Sequence, residues 1–138
     1  MSHLLDTNAV LNLLDPRVPT ALPASTITHI SVITHVELNY GIAAALNRHT
    51  TESTAEASRR TANLQRVLST WTPVPLDSTI AAAFQQVAES ALSAGQNPRQ
   101  RMNDLMIAAT ALTRDWTLVT NDEPLTRALT PLVRVVPL

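Results

Sequence analysis

A chain of 138 residues, 45% apolar and 15% charged, can fill one hydrophobic core but not two, so residues 1–138 are expected to form a single ordered domain. The formal net charge of −1 gives no global attraction for a polyanion, so any contact with nucleic acid must rely on local positive charge. Without cysteine there are no disulfides, thiol nucleophiles or thiolate-bound zinc; with every basic residue an arginine, no lysine phosphate loop or Schiff base; and with only Gly41 and Gly95, no glycine-rich dinucleotide loop.

His3-Leu4-Leu5 reads as a short buried strand, and Asp6-Thr7-Asn8 as the cap of a short helix that stops near Asp15-Pro16. After a loop punctuated by Pro16, Pro19 and Pro23, the β-branched run His29 to Thr34 predicts a second strand. Thr34-His35-Val36-Glu37 has capping-box spacing, so a helix is expected from there through Leu46. Between Thr51 and Trp71, the apolar residues Leu64, Val67, Leu68 and Trp71 recur at helical spacing against a face carrying Glu52, Glu56, Arg59 and Arg66, which predicts an amphipathic surface helix.

Pro73 to Leu76 suggests an edge strand, since each proline removes a ladder donor. Asp77 or Ser78 then caps a helix with Ile80, Phe84, Val87 and Ala88 inward and Gly95 at its end. Gln96 to Met102 is expected to be a loop carrying Arg99 and Arg101, and Asn103-Asp104 opens an almost wholly apolar helix, Leu105 to Leu112. Thr117 to Thr120 predicts a strand, Asn121 to Pro124 a helix start, and Leu132 to Val136 a last strand. Strands alternating with helices indicate an α/β fold, a three-layer sandwich around a mainly parallel sheet. No apolar run approaches the roughly 20 residues of a membrane span. Met1 to Asp6 has neither a basic start nor an apolar stretch of signal-peptide length, so the expected compartment is the cytoplasm.

In open parallel sheets, functional groups gather beyond the carboxyl ends of the strands. Asp6, Glu37 and Asp122 fall at such strand-to-helix transitions, and Asp104 is the one acid in the first turn of the apolar helix. Two carboxylates about 4 Å apart repel by roughly 4 kcal/mol at an effective dielectric near 20. A cluster of such acids must therefore take up protons, pair with arginine or bind a cation, and an all-oxygen set favours Mg²⁺, with Mn²⁺ as a substitute. In that reading Asp6, Asp104 and Asp122 hold metal, while Glu37 either ligates a second ion or accepts a proton from water. Each acid also has a plainer reading: Asp6 and Asp122 as helix caps, Glu37 as half of a capping box, Asp104 as a favourable charge on a helix dipole. Arg99 and Arg101, beside Asp104, are candidates for binding substrate phosphates, or are simply solvated loop charges.

Four segments in this order, Leu4-Leu5-Asp6-Thr7-Asn8, Ile30 to Thr34 with Val36-Glu37-Leu38 and Tyr40-Gly41, Asp104 to Ala111, and Leu118-Val119-Thr120-Asn121-Asp122, resemble PIN-domain ribonucleases, in particular the VapC-type toxins of bacterial toxin–antitoxin pairs. The resemblance implies a Mg²⁺-dependent endoribonuclease with catalytic Asp6, Glu37, Asp104 and Asp122, supported by Asn8, Thr120 and Asn121. It further implies cleavage of structured cellular RNA, inhibition by a small antitoxin protein, homodimerisation, and contact with operator DNA only through the antitoxin. Two segments are less typical of the family: the arginine-rich Arg99 to Met102, and the Pro16 to Pro23 loop that keeps the first helix short.

Two rivals are set against this reading. Asp6-Thr7-Asn8 after a strand is similar to aspartyl-phosphate phosphatases of the haloacid dehalogenase type, but these need a second aspartate where Asn8 stands and a lysine, and the chain has neither. The other is a non-catalytic module whose acids only cap helices and which binds an antitoxin and, through it, operator DNA. Metal binding separates a nuclease from such a module.

Overall fold

Adjacent residues of a strand point to opposite faces of a sheet, and Leu4 and Leu5, both fully buried, therefore require cover on both sides. A computed structural model describes all residues, 1–138, and supplies that cover. Its elements are β1 (Ser2–Leu5), α1 (Thr7–Leu14), β2 (Ile27–Ile30), α2 (Val32–Asn47), α3 (Thr51–Thr70), α4 (Ser78–Ser93), a 3-10 turn (Pro98–Arg101), α5 (Met102–Arg114), β3 (Thr117–Val119), α6 (Glu123–Leu129) and β4 (Val135–Val136). The strands form one parallel sheet in the order β2-β1-β3-β4, with Leu5 level with Ile30 and Val119.

On one face Leu4 and Leu118 pack with Ile80 and Val87 of α4, Leu105 and Ile107 of α5, and Leu125 and Leu129 of α6. On the other, Leu5, Ile30 and Val119 pack with Val10 of α1 and with Val67 and Trp71 at the end of α3. Helix, sheet and helix make the expected three layers. Each buried Leu or Val contributes about 1.5–3 kcal/mol relative to leaving it in water. As anticipated, α5 is buried on most sides, with Ala108, Ala109, Thr110 and Ala111 inaccessible. No helix is long and apolar enough to cross a membrane.

Four local expectations are corrected. β2 ends at Ile30 rather than Thr34, because the Ser31 hydroxyl accepts from the Ile33 amide at 3.0 Å and caps α2 three residues before the expected Thr34 cap. The Thr34 capping box is consequently absent, and Glu37 lies in the second turn of α2. Pro73 to Leu76 makes a single bridge instead of a strand. Only Val74 between the two prolines has an amide to give: its N–H donates to the Ile30 carbonyl and its own carbonyl accepts from Val32, both at 2.9 Å. The last strand shrinks to Val135–Val136, because the Leu132 and Val133 amides turn back to the Leu129 carbonyl at the end of α6. Finally, the Gln96 to Met102 loop contains the 3-10 turn, entered through Gly95, whose φ of +77° closes α4 without the strain a side chain brings.

Candidate active site

The carboxyl ends of β1, β2 and β3 lie side by side, and the chain leaves each of them into a polar residue. At the end of β1, Asp6 is buried, its amide donating to the Val119 carbonyl at 3.1 Å. Its Oδ1 accepts from the Ala9 amide at 2.7 Å and caps α1. At the end of β3 the Thr120 amide donates to Val136, and the Thr120 hydroxyl accepts from the Asp122 amide at 3.1 Å. Asp122 Oδ1 accepts from Leu125 at 2.9 Å and caps α6. The plain and the chemical readings of Asp6 and Asp122 thus coexist, since a carboxylate that caps with one oxygen has a second to offer.

Glu37 enters from α2. Its Oε1 accepts a 2.6 Å hydrogen bond from the Thr7 hydroxyl, whose oxygen also lies 3.1 Å from that of buried Thr34. Thr7 and Thr34 are positioning residues not singled out from sequence. Their signal was the coincidence of two hydroxyls flanking two acids, which only the register of β1 on β2 brings together. Asp104 comes from the first turn of α5.

The candidate acids act on one another electrostatically. Burial pushes the Asp6 carboxyl up; hydrogen bonding from Thr120 and Ala9 opposes this, while Asp122 and Glu37 add repulsion. Asp104 is pushed up to about 6, first by burial and then by the charges of Glu37, Asp6 and Asp122, with Arg101 pulling the other way. Asp122 moves down: burial is outweighed by the Leu125 amide and by Arg101. Arg101 Nη1 is 3.0 Å from Asp122 Oδ2 and 3.9 Å from Asp104 Oδ2, so the expected phosphate binder is engaged with the acids themselves. Arg99 is exposed and makes no ion pair, its amide donating to Asn97. Asn8 is exposed and touches none of the acids, while Asn121 Oδ1 accepts from the Leu138 amide at 2.9 Å and holds the C-terminal residue. Of the expected supporting residues, only Thr120 contacts the cluster directly.

Hard oxygen donors in excess, compensated by one cation, suit a divalent metal. Arg101 is that cation here, and no three acidic or imidazole side chains converge on a common ligand position around it. Asp6, Asp104 and Asp122 nevertheless supply the right donor chemistry, and the repulsion within the cluster is what a doubly charged ion relieves.

The PIN-domain family model matches residues 3–128. The chain belongs to the PIN-domain family. This PIN domain is similar over 99% of its length to VapBC-5, a member of the VapBC family of toxin–antitoxin systems from Mycobacterium tuberculosis, with 26% identity, a TM-score of 0.74 and 97% of that chain covered. FitAcB from Neisseria gonorrhoeae is 26% identical, with a TM-score of 0.68 and coverage of 96% of this chain and 95% of the other. VapBC2 from Rickettsia felis, bound to a DNA fragment from its promoter, shares the fold at 21% identity, with a TM-score of 0.74 and coverage of 99% and 98%. No curated protein matches the sequence. The resemblance to VapC-type PIN domains read from the four motifs is borne out.

Proposed function

We propose that this PIN domain is a Mg²⁺-dependent endoribonuclease and the toxin of a toxin–antitoxin pair, with Asp6, Glu37, Asp104 and Asp122 as its catalytic acids. One observation carries the reading: on a PIN fold, these four side chains, from four separate elements, lie close enough to repel one another. Asp6, Asp104 and Asp122 would hold the ion, with Mn²⁺ an acceptable substitute. When bound, the ion supplies Lewis-acid activation of water and neutralises charge building up on the phosphodiester.

The chain's own residues do the rest. Asp6 and Asp122 are fixed by the caps that one oxygen of each forms, so the second oxygens, that of Asp122 now paired with Arg101, are held without extra ordering at the moment of reaction. Thr7 binds Glu37 Oε1, which leaves Oε2 to accept the proton of the attacking water. Arg99, exposed and in no ion pair, is free to meet phosphate oxygens of an RNA strand.

The proposal includes structured cellular RNA as substrate, a cognate antitoxin protein as inhibitor, operator DNA reached only through that antitoxin, a homodimeric state and a place in the cytoplasm. Similarity to toxin–antitoxin systems supports the antitoxin; RNA and the dimer rest on the family resemblance. The test is cleavage of total cellular RNA by the purified chain with Mg²⁺, with Mn²⁺ and with EDTA, beside Asp6→Asn. Discrete metal-dependent fragments missing with the variant are expected. Intact RNA from folded, metal-bound protein would favour the non-catalytic module.

A further inference from the structure

The Arg101 guanidinium is shared between two acids, Asp122, which already caps a helix, and Asp104, which has no other partner. Asp122 uses Oδ1 to cap α6, and Arg101 takes Oδ2. Asp104 has no hydrogen-bonding partner of its own, and the nearest positive charge is the same guanidinium, 3.9 Å from Oδ2. With 24% of its side chain exposed, Arg101 is more enclosed than either acid, and one nitrogen, Nη1, faces an oxygen of each. Mg²⁺ requires oxygen ligands at about 2.0–2.1 Å, and a guanidinium beside the same oxygens both blocks the approach and repels the ion.

From the carboxylates, a way out leads to the side. Arg101 closes the 3-10 turn at the entrance to α5, and with Gly95, Gln96, Asn97, Gln100 and Asp104 it lines a shallow polar depression next to the acids. The Arg101 side chain thus already borders the space into which it could turn.

We infer that Arg101 is an internal counter-cation, which a divalent ion must displace from Asp104 and Asp122, and that the displaced guanidinium moves into the neighbouring depression, where it can meet a substrate phosphate. The inference rests on the metal-dependent reading of the cluster and adds a residue to it. Loading the metal and presenting a phosphate-binding arginine are then one event. Arg101 also serves the metal-free protein by compensating an acidic cluster that has no other cation within ion-pairing distance.

The measurement is calorimetric titration of Mn²⁺ and of Mg²⁺ into the full chain, the Arg101→Gln variant and the Arg101→Lys variant, with circular dichroism to establish that all are folded. A metal that must first break a hydrogen bond between charged groups binds about tenfold or more weakly than one that need not. Arg101→Gln should therefore bind the ions at least that much more tightly, with Arg101→Lys close to the parent because the competing charge remains. In a parallel experiment on ¹⁵N-arginine-labelled protein, Mg²⁺ should shift the Arg101 side-chain resonance and leave that of Arg134 in place. Equal or weaker metal affinity in Arg101→Gln overturns the inference alone and makes Arg101 a fixture that positions Asp122. No metal binding in any of the three proteins overturns the inference and the metal-dependent reading together.

Discussion

Replacing Asp104 by Asn should make the metal-free protein more stable, although it removes a charge from an ion pair. The Asp104 carboxyl is raised from its ordinary value of 3.8 to about 6. A folded-state value above the unfolded one means that the folded chain holds the extra proton between those limits. The acid's contribution to stability therefore falls as pH rises from about 4 to about 6, and the full penalty stands at pH 7. At ~1.36 kcal/mol per pH unit, that interval corresponds to about 3 kcal/mol. The side chain is 39% exposed, so solvent and salt screen part of this, leaving about 1–2 kcal/mol. Asparagine is close in shape, carries no charge, and leaves Arg101 its 3.0 Å partner Asp122.

For a domain of this size, 1 kcal/mol moves the melting temperature by about 4 °C. In EDTA at pH 7, Asp104→Asn should melt about 4–8 °C above the parent, and the gap should close near pH 4. If Asp104 is a metal ligand, millimolar Mg²⁺ should reverse the order, since binding at a hundredfold excess over Kd would stabilise the parent by about 2.7 kcal/mol and the variant would lack that ligand. A variant that melts below the parent in EDTA at pH 7, or a gap that does not change with pH, would refute the claim that Asp104 is held in a repulsive cluster.

Three further outcomes are expected. Thr7→Val removes the 2.6 Å hydrogen bond to Glu37, so cleavage should drop about 10–100-fold while stability in urea changes by no more than about 1 kcal/mol. Leu118→Ala leaves a cavity under α4, α5 and α6 and should cost about 2–5 kcal/mol in the same urea titration. His29 stacks on Trp116 at 3.9 Å with its pKa lowered by burial and by Arg114, so the stability it provides is present above its ordinary 6.5 and lost as pH falls below that; His29→Phe should flatten this limb of the thermal profile.

The sheet and its helices were legible because apolar residues in this chain follow one period at a time: two buried leucines in β1, an apolar turn after turn in α5. What was misread lies where a local hydrogen bond decides against propensity. Val32-Ile33-Thr34 is β-branched, yet one serine hydroxyl commits it to helix; Val74 pairs like a strand residue, yet its two proline neighbours cannot. The candidate acids stood out in the sequence because Asp6 and Asp122 follow strands and Asp104 opens an apolar helix, while Glu37 stood out from a helix start that the structure places earlier. The pairing of Arg101 did not, because its place just before α5 puts it near Asp104 but says nothing of Asp122, 21 residues away in the chain. Thr7 was hidden for the same reason: it meets Glu37 only through the parallel register of two strands.

The same geometry explains why aspartate, rather than another capping residue, stands at positions 6 and 122. Asparagine caps a helix as well as aspartate does, so capping alone places no demand on charge. At Asp6 the charge is a burden, since burial and two neighbouring acids raise its carboxyl. If Asp6 served only α1, Asp6→Asn would retain the cap, relieve the repulsion and leave every activity intact. If the second oxygen belongs to a metal-binding cluster, the same substitution should raise the stability of the metal-free chain, abolish its stabilisation by Mg²⁺ and abolish cleavage. Thermal melts with and without Mg²⁺, run on the same protein used for RNA cleavage, separate the two roles, because the cap contributes to both melts and the charge acts oppositely in them.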